Sequence, residues 1–230
     1  MGKVPQPQDK AVQNIHEADA QLISNRAPHF FEMVTFKIIK NCRETAIPVH
    51  KAVACSCSPV FNAAFSGEFI EGQVGIYTIE DTELTVFKVL TEYMYNRDIP
   101  APSSTNDKVV DHQLMSEETM ALLKLWVLAD RYFITHLQNL VMAALMAIFR
   151  KYEMMYKEWL DYVYAATSEG SALRRLFIKA GLLIGAESME RNPEEWFPAG
   201  YLMALMREIL RHTEGRIRGI DFSDCMVPEI

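Results

Sequence analysis

Cys55, Cys57 and His50 are the residues whose types and closeness in sequence could bind a metal ion. Thiolates and imidazole nitrogens are ligands that zinc prefers, and a structural site needs a full tetrahedral set, supplied in pairs about two to four residues apart. Here a single residue separates the two cysteines, and no second pair follows. The spacing therefore predicts small, partly buried packing residues and no bound metal.

An acidic group, Glu80, Asp81 and Glu83, is the second candidate for chemistry. Paired carboxylates can transfer protons, but catalysis also needs a nucleophile or base within reach. No such residue accompanies these acids or His50 in sequence, and negative charge also stabilises the first turn of a helix. We interpret the acids as a helix cap and His50 as a structural residue that bonds the backbone. The sequence predicts no enzyme, and a polar pocket between residues 150 and 215 would contradict that.

Composition and charge narrow the class of partner. The 230 residues carry a net charge of −7, and no basic stripe of the kind that binds phosphate is present. Four cysteines in a chain of this length do not make a disulfide framework, and the longest apolar run, 140–149, is too short to span a bilayer. We expect a cytoplasmic or nuclear protein that binds other proteins and takes no nucleic acid, membrane, cofactor or small-molecule substrate.

Three short strands are predicted in the first third of the chain. The β-branched and aromatic stretch 34–39 predicts the first strand, a turn at 41–44 leads to a second strand at 45–49, and 76–79 predicts the third. Pro48 cannot donate a hydrogen bond to a neighbouring strand, so the second strand is expected at an edge of the sheet.

Helices account for most of the remaining sequence. Ser58 is predicted to cap one helix, and Asp81 with Thr82 to cap another that runs to about Tyr95. After a polar insertion at about 100–118, apolar residues recur at helical spacing from near Glu117 onwards. The predicted fold class is α+β, with a small sheet flanked by helices and an all-helical C-terminal extension. The predicted parts are a flexible N-terminal tail at 1–28, a domain at 29–145 that contains the insertion, a helical extension at 146–215 and a C-terminal tail at 216–230.

The loop Gly67–Gly72 places Phe69 two residues before Glu71. Two interpretations stay open on spacing alone. In the first, Phe69 tucks into the core of its own domain and Glu71 is solvated. In the second, the aromatic side chain and its charged neighbour form a hot spot at a protein interface.

Several segments together resemble the BTB/POZ domain family, over about residues 30–145. In chain order they are Val49–Val53, Ser58–Phe65, Gly67 with Phe69 and Glu71, Asp81 with Phe87, Leu90, Tyr93 and Tyr95, and Leu123–Tyr132. The sequences of these segments most resemble those of fungal BTB proteins that carry a helical C-terminal extension. The resemblance implies the Skp1-like fold of this family and a scaffold that self-associates or docks other proteins.

One subset of the family binds a cullin and serves as the substrate adaptor of a ubiquitin ligase complex. Its contact motif, hydrophobic-any-Glu, resembles Phe69-Ile70-Glu71, and contacts from the third helix of the family map to Val89 and Tyr95. The resemblance also implies a homodimer built from the N-terminal strand and first helix, with an interface at Phe31, Val34, Val53 and Val60.

Two departures from the family pattern bear on these roles. Transcription-factor members carry an Asp and an Arg that pair in a charged dimer pocket, and Met33 and Cys57 occupy those positions here. Because both charges are missing together, we expect any dimer to close through apolar contacts and to lack the co-repressor groove. Many cullin adaptors have Thr-Gly after the helix tyrosine, whereas glycine is missing after Tyr95. The alternative function is a transcriptional regulator that acts through protein partners without direct DNA binding.

Overall fold

The computed structural model describes residues 31–103, 111–184, 197–213 and 225–228. The chain divides into two compact units, residues 1–82 and residues 83–230. The first unit holds a small sheet with helices, and the described part of the second unit is helical, so the α+β class is confirmed. In the part of the chain that the structure describes, no helix has the length and apolar character needed to cross a bilayer.

The sheet of the first unit has three strands in the described residues. They are β1 (Met33–Lys40), β2 (Arg43–His50) and β3 (Ile76–Glu80), in the order β2-β1-β3. β1 and β2 pair antiparallel, with Phe36 opposite Ile47, whereas β1 and β3 run parallel. The predicted hairpin and third strand are confirmed, and so is the edge position of β2, because among the described strands β2, which contains Pro48, pairs with β1 alone.

The hairpin between β1 and β2 turns at Asn41 and Cys42, whose φ values are 51° and 59°. Two consecutive left-handed residues form the type I′ turn, whose twist matches that of paired strands. The turn is shorter than the predicted 41–44, because Arg43 and Glu44 already pair with β1.

Three helices complete the described part of the first unit. They are α1 (Lys51–Cys57), α2 (Pro59–Ser66) and α3 (Ile70–Val74). Ser58 caps α2 as predicted, because its buried hydroxyl oxygen accepts hydrogen bonds from the N–H groups of Val60 (3.2 Å) and Phe61 (3.3 Å). The stretch predicted as a loop at 67–72 contains the start of α3 instead.

An aromatic cluster fills the core of the first unit. The Phe61 ring is fully buried, with its centroid 4.9 Å from that of Phe36 and 5.4 Å from that of Tyr77. Phe65 adds an edge-to-face contact with Phe36 at 5.7 Å. Tilted contacts of this kind suit the charge distribution of aromatic rings, so the cluster holds α2 against β1 and β3.

The second unit has six helices in the described residues. They are α4 (Leu84–Asn96), α5 (His112–Arg131), α6 (Thr135–Tyr152), α7 (Lys157–Ala166), α8 (Ala172–Ile184) and α9 (Ala199–Thr213). Buried aromatic side chains join them, as where the ring of Phe149 on α6 lies 5.2 Å from that of Phe177 on α8. The predicted series of C-terminal helices is therefore confirmed.

The predicted cap at Asp81 is wrong. The helix that follows begins at Leu84, and its cap residue, Glu83, makes no side-chain capping bond. Asp81 has a φ of 56°, and its N–H donates to Ile39 O at 3.1 Å. Because this hydrogen bond extends the β1–β3 pairing, Asp81 ends a strand rather than starting a helix.

The helix start predicted near Glu117 is also wrong, because α5 begins at His112. The Asp111 carboxylate accepts hydrogen bonds from the N–H groups of Gln113 and Leu114, both at 3.0 Å. This cap satisfies backbone donors that a helix would otherwise leave unpaired, so the helix extends into sequence that is polar and aperiodic.

A close contact between α8 and α9 depends on Gly181. A Cβ at this position would collide with the hydroxyl of Tyr201, which is fully buried. Among the described residues, this hydroxyl has no hydrogen-bond partner. Burial raises the pKa of the Tyr201 hydroxyl well above its usual range, so it stays protonated.

Some predictions concern residues that the structure does not describe. These residues are the predicted N-terminal tail at 1–28 and, in the predicted C-terminal tail, 216–224 and 229–230. The predicted limits of the domain at 29–145 and of the extension at 146–215 stay predictions.

Candidate partner-binding site

An exposed apolar surface lies between the end of α2 and the start of β3. We call it the 69–76 surface, and it consists of Phe69, Ile70, Val74 and Ile76. Phe69 is 61% exposed and Ile70 is 70% exposed, although both side chains are large and apolar. Water contact with this much hydrocarbon in so short a stretch is unfavourable, which indicates a surface that another protein covers.

Two glycines set the path of the chain around Phe69. A Cβ on Gly67 would lie 2.7 Å from Ala63 O, and a Cβ on Gly72 would lie 2.9 Å from Gly67 O. The chain therefore folds back on itself in a space that a side chain would close. The Phe69 ring lies beside Gly67, since its Cδ2 atom would be 3.0 Å from a Cβ there, and the rest of the ring meets solvent.

The short helix α3 explains why its apolar side chains stay outside. Phe69 O accepts a hydrogen bond from the Gly72 N–H (3.0 Å), and Gly75, with a φ of 67°, ends the helix. Little more than one turn separates these two points, so α3 has no long face to bury. Ile70 and Val74, four residues apart on one side of the turn, both remain exposed.

The sequence around the 69–76 surface is acidic. Glu71 lies in the first turn of α3, half-buried, and no hydrogen bond or ion pair with a described residue engages its carboxylate. The sequence between Ser66 and Glu83 also contains Glu68, Glu80 and Asp81, and it has no Lys, Arg or His. A partner that offers apolar side chains and basic groups would complement this surface.

The other two residues predicted to contact a cullin lie on α4 in the second unit. Tyr95 is 46% exposed, whereas Val89 is half-buried and lines a cavity of about 200 Å³. The cavity lies between α4, α5 and the segment that follows α4, and its lining includes Val86, Ile99, Pro100, Pro102, Leu122 and Leu125. The one acid in the lining, Glu118, accepts hydrogen bonds from the N–H (2.9 Å) and the hydroxyl of Ser103. The cavity therefore suits an apolar group.

The four residues predicted at a dimer interface differ in exposure. Phe31 is 81% exposed, Val53 and Val60 are half-buried, and Val34 is 2% exposed. Val34 packs into the core of its own unit from β1, because alternate residues of the strand point inward. Its side chain is therefore directed into its own unit, and its predicted place at the dimer interface stays a prediction.

Cys55 and Cys57, the cysteines considered above as metal ligands, act as packing residues. Cys57 is buried, and the Cys55 Sγ lies 4.0 Å from both Phe61 O and the Ser66 hydroxyl. Burial raises the pKa of the Cys55 thiol, which favours the protonated and unreactive form. His50 ends β2 directly before α1. Nowhere in the described ranges do three His, Cys, Asp or Glu side chains come together as metal ligands.

Sequence reasoning missed several exposed apolar residues. Ile70, Val74 and Ile76 have spacings that fit burial as well as exposure, so no pattern separated the two. Phe133 was also missed: it is 66% exposed and has a φ of 53° in the turn between α5 and α6. Bulky residues rarely adopt a positive φ, and nothing in the surrounding sequence signals it.

Comparison with known families gives one match to a family model. The BTB/POZ domain model matches residues 28–147, which is more than half of the chain. The expected kinship with fungal members stays a prediction.

Two curated proteins are similar to part of the chain. Kelch-like protein 3 of Danio rerio is 29% identical over 84 residues, which cover 36% of this chain and 14% of that protein. BTB/POZ domain-containing protein At4g08455 of Arabidopsis thaliana is 26% identical over 116 residues, which cover 50% of this chain and 41% of that protein. The matched stretch therefore spans less than half the length of each of these relatives.

Two solved structures are similar to the chain at low identity. The BTB domain of zebrafish PATZ1 is 15% identical, with a TM-score of 0.36, and the match covers 63% of this chain and 98% of that one. The BTB domain of human gigaxonin is 16% identical, with a TM-score of 0.32, and the match covers 61% of this chain and 94% of that one.

Proposed function

Because this chain belongs to the BTB/POZ domain family, whose domain is a protein-interaction module, we propose that it is a cullin-binding substrate adaptor that also self-associates. The 69–76 surface is the proposed cullin contact. The observation that carries the proposal is the 61% exposure of Phe69, next to a Glu71 carboxylate that no described residue engages.

The exposure of Phe69 supports the second of the two interpretations that spacing left open, the hot spot at a protein interface. A ring that is tucked into its own core cannot anchor a partner, whereas an exposed ring held beside Gly67 is ready to do so. Aromatic anchors dominate the free energy of binding at many interfaces, and a charged neighbour adds specificity. The order Phe69-Ile70-Glu71 also fits the hydrophobic-any-Glu motif of cullin-binding family members.

A contribution of α4 to cullin binding is proposed for Tyr95 and Val89. Tyr95 presents an exposed ring, and Val89 lies at a cavity that can accept an apolar side chain. The residue after Tyr95 is Asn96 rather than glycine, so we expect a weaker contribution from the end of α4 than in adaptors with the usual motif.

Self-association is proposed to use Phe31, Val53 and Val60. Phe31 is the most exposed large apolar residue among those described, and a second copy would remove its ring from water. Met33, 45% exposed at the start of β1, would add to an apolar contact. The mass in solution, measured by sedimentation over a range of concentrations, tests this part of the proposal, and a monomer at all concentrations would contradict it.

The cullin contact is tested by capture of a recombinant N-terminal domain of a BTB-selective cullin. We expect Phe69→Ala combined with Glu71→Ala to weaken binding by about tenfold or more, because anchor residues carry a large share of the affinity. Binding is measured by calorimetry with the full chain.

Phe133→Ala is the matched control for this experiment, since it removes an equally exposed phenylalanine elsewhere in the chain. It should leave cullin affinity within about twofold of the unmodified chain. Melting curves of all variants should coincide with that of the unmodified chain. Equal capture by the folded double variant would remove the adaptor function.

A further inference from the structure

Asn139 on α6 holds a segment that lies far away in sequence. Its side-chain Nδ2 donates to Val227 O (3.0 Å), and its Oδ1 accepts from the Val227 N–H (2.9 Å). Both the donor and the acceptor of one peptide residue are thus paired with one amide side chain. The described part of this segment is Cys225–Pro228, which we call the docked segment.

The type of residue at position 139 fits recognition of a main chain. Asparagine is unfavourable in the interior of a helix, because its side chain competes for backbone hydrogen bonds. Its amide carries one acceptor and one donor group in the same arrangement as a peptide unit, so it can pair with an extended strand residue. In α6 the Asn139 side chain is half-buried, and its amide forms both of these hydrogen bonds with Val227.

The sequence of the docked segment favours an extended conformation even before the segment binds. Val227 precedes Pro228, and a residue before proline is restricted to extended conformations. An extended Val227 already presents its N–H and C=O for pairing, so little conformational entropy is lost on docking. Two residues earlier, the Cys225 side chain is fully buried, which supplies an apolar anchor beside the polar pairing.

We propose that α6 carries a binding site for an extended peptide, and that the docked segment is its displaceable occupant. The class of ligand is set by the contacts: a small apolar side chain, then any residue, then a β-branched residue whose backbone pairs with Asn139, then proline. A polypeptide with this pattern competes for the site and releases the docked segment. The proposal does not depend on the cullin contact.

The burial of Cys225 gives a direct readout of release. The thiol is fully buried when the segment is docked, so an alkylating reagent reacts with it only after the segment leaves. Labelling of the full chain, resolved by mass spectrometry for each cysteine, measures this rate. Buried Cys57 is the internal control for unfolding of the first unit, and the melting curve of each variant is the control for unfolding of the second unit.

Asn139→Ala removes both hydrogen bonds to Val227, and we expect Cys225 labelling to rise about tenfold or more while Cys57 labelling is unchanged. Asn139→Asp keeps the acceptor for the Val227 N–H and loses the donor, so its labelling rate should lie between those of the unmodified chain and Asn139→Ala. Arg150→Ala, an exposed site on the same helix, is the matched control and should not change the rate. A Cys225 rate within twofold of the unmodified chain in Asn139→Ala would overturn the proposal.

Competition in trans tests the site without changing the protein. A synthetic peptide of residues 221–230 carrying Cys225→Ala is added to the full chain, and Cys225 labelling should rise with peptide concentration and reach a plateau. The same peptide with a methyl group on the Val227 nitrogen lacks the paired N–H, and it should compete at least about tenfold less well. No increase at millimolar peptide, with Cys57 still protected, would show that the segment is a fixed part of the fold and would overturn the proposal.

Discussion

Two phenylalanines of the first unit lie eight positions apart in sequence and have opposite surroundings. Phe61 on α2 is 0% exposed and touches the rings of Phe36 and Tyr77, whereas Phe69 before α3 is 61% exposed and lies beside a glycine. Both are large apolar residues close to a helix start. The aromatic cluster therefore stabilises the fold, whereas the 69–76 surface leaves large apolar side chains exposed, as the proposed partner contact requires.

The difference comes from the length of the helix at which each residue lies. α2 is long enough to direct Phe61, Ala64 and Phe65 to one buried face. α3 is a short helix without a buried residue, so it has no buried face on which its apolar side chains could pack. Apolar character in this unit thus indicates a core only where a helix or strand can sort its residues into an inner and an outer face.

The largest expected effect separates the two phenylalanines directly. Phe61→Ala should lower the free energy of unfolding by about 4 kcal/mol, because it opens a cavity in the aromatic cluster. Phe69→Ala should change it by no more than about 0.5 kcal/mol, since the ring leaves few contacts behind. Urea denaturation of both variants measures the two values, and similar losses at the two positions would contradict the comparison.

A buried aromatic of the second unit extends the comparison to a ring with a polar atom. Gly181→Ala should lower the free energy of unfolding by about 3 kcal/mol, because the new methyl group collides with the Tyr201 hydroxyl. Tyr201→Phe alone should be neutral or stabilise by up to about 1 kcal/mol, since its hydroxyl has no partner among the described residues.

The double variant of Gly181→Ala with Tyr201→Phe should recover most of the loss, and thermal unfolding of the four proteins gives the coupling between the two sites. Additive effects would mean that the hydroxyl is not the obstacle.

The smallest effect concerns the two positions where the family pattern is lost. Met33→Asp with Cys57→Arg should be neutral or should lower stability by up to about 2 kcal/mol, because Arg enters a buried site that packs a small side chain. Met33→Asp alone, at an exposed position, serves as the control. Melting temperature and solution mass are measured together, and a clear gain in stability would argue against an interface closed by apolar contacts.

Much of the first unit could be predicted from its sequence, because local chemistry decides its elements. β-Branched and aromatic residues predicted β1, Pro48 predicted the edge position of β2, and Ser58 predicted the start of α2. Each of these features depends on the residue itself and its immediate neighbours. The parallel pairing of β3 with β1 depends on residues far apart, and no local pattern indicated it.

The failures have physical causes of the same kind. Asp81 and Asp111 are both acids before a helix, yet Asp111 caps α5 and Asp81 sits in a left-handed turn that bonds to Ile39. A carboxylate suits either position, and tertiary contacts choose between them. The exposure of Phe69 and the pairing of Asn139 with Val227 were likewise beyond the sequence, because each depends on what the rest of the chain leaves uncovered or brings near.

The sheet order also sets a sequence of events during folding. β1 and β2 meet through a two-residue turn, a local step that takes about 1–10 μs in isolated hairpins. β3 is separated from β1 along the chain by β2, α1, α2 and α3, so its pairing with the other side of β1 closes a longer loop at a larger entropic cost. Until β3 pairs with it, β1 has unpaired backbone N–H and C=O groups along one edge, to which a strand of another chain can bond. We therefore expect a chain whose β3 is unpaired to be more prone to associate with other chains, because an unpaired strand edge can pair with a foreign strand.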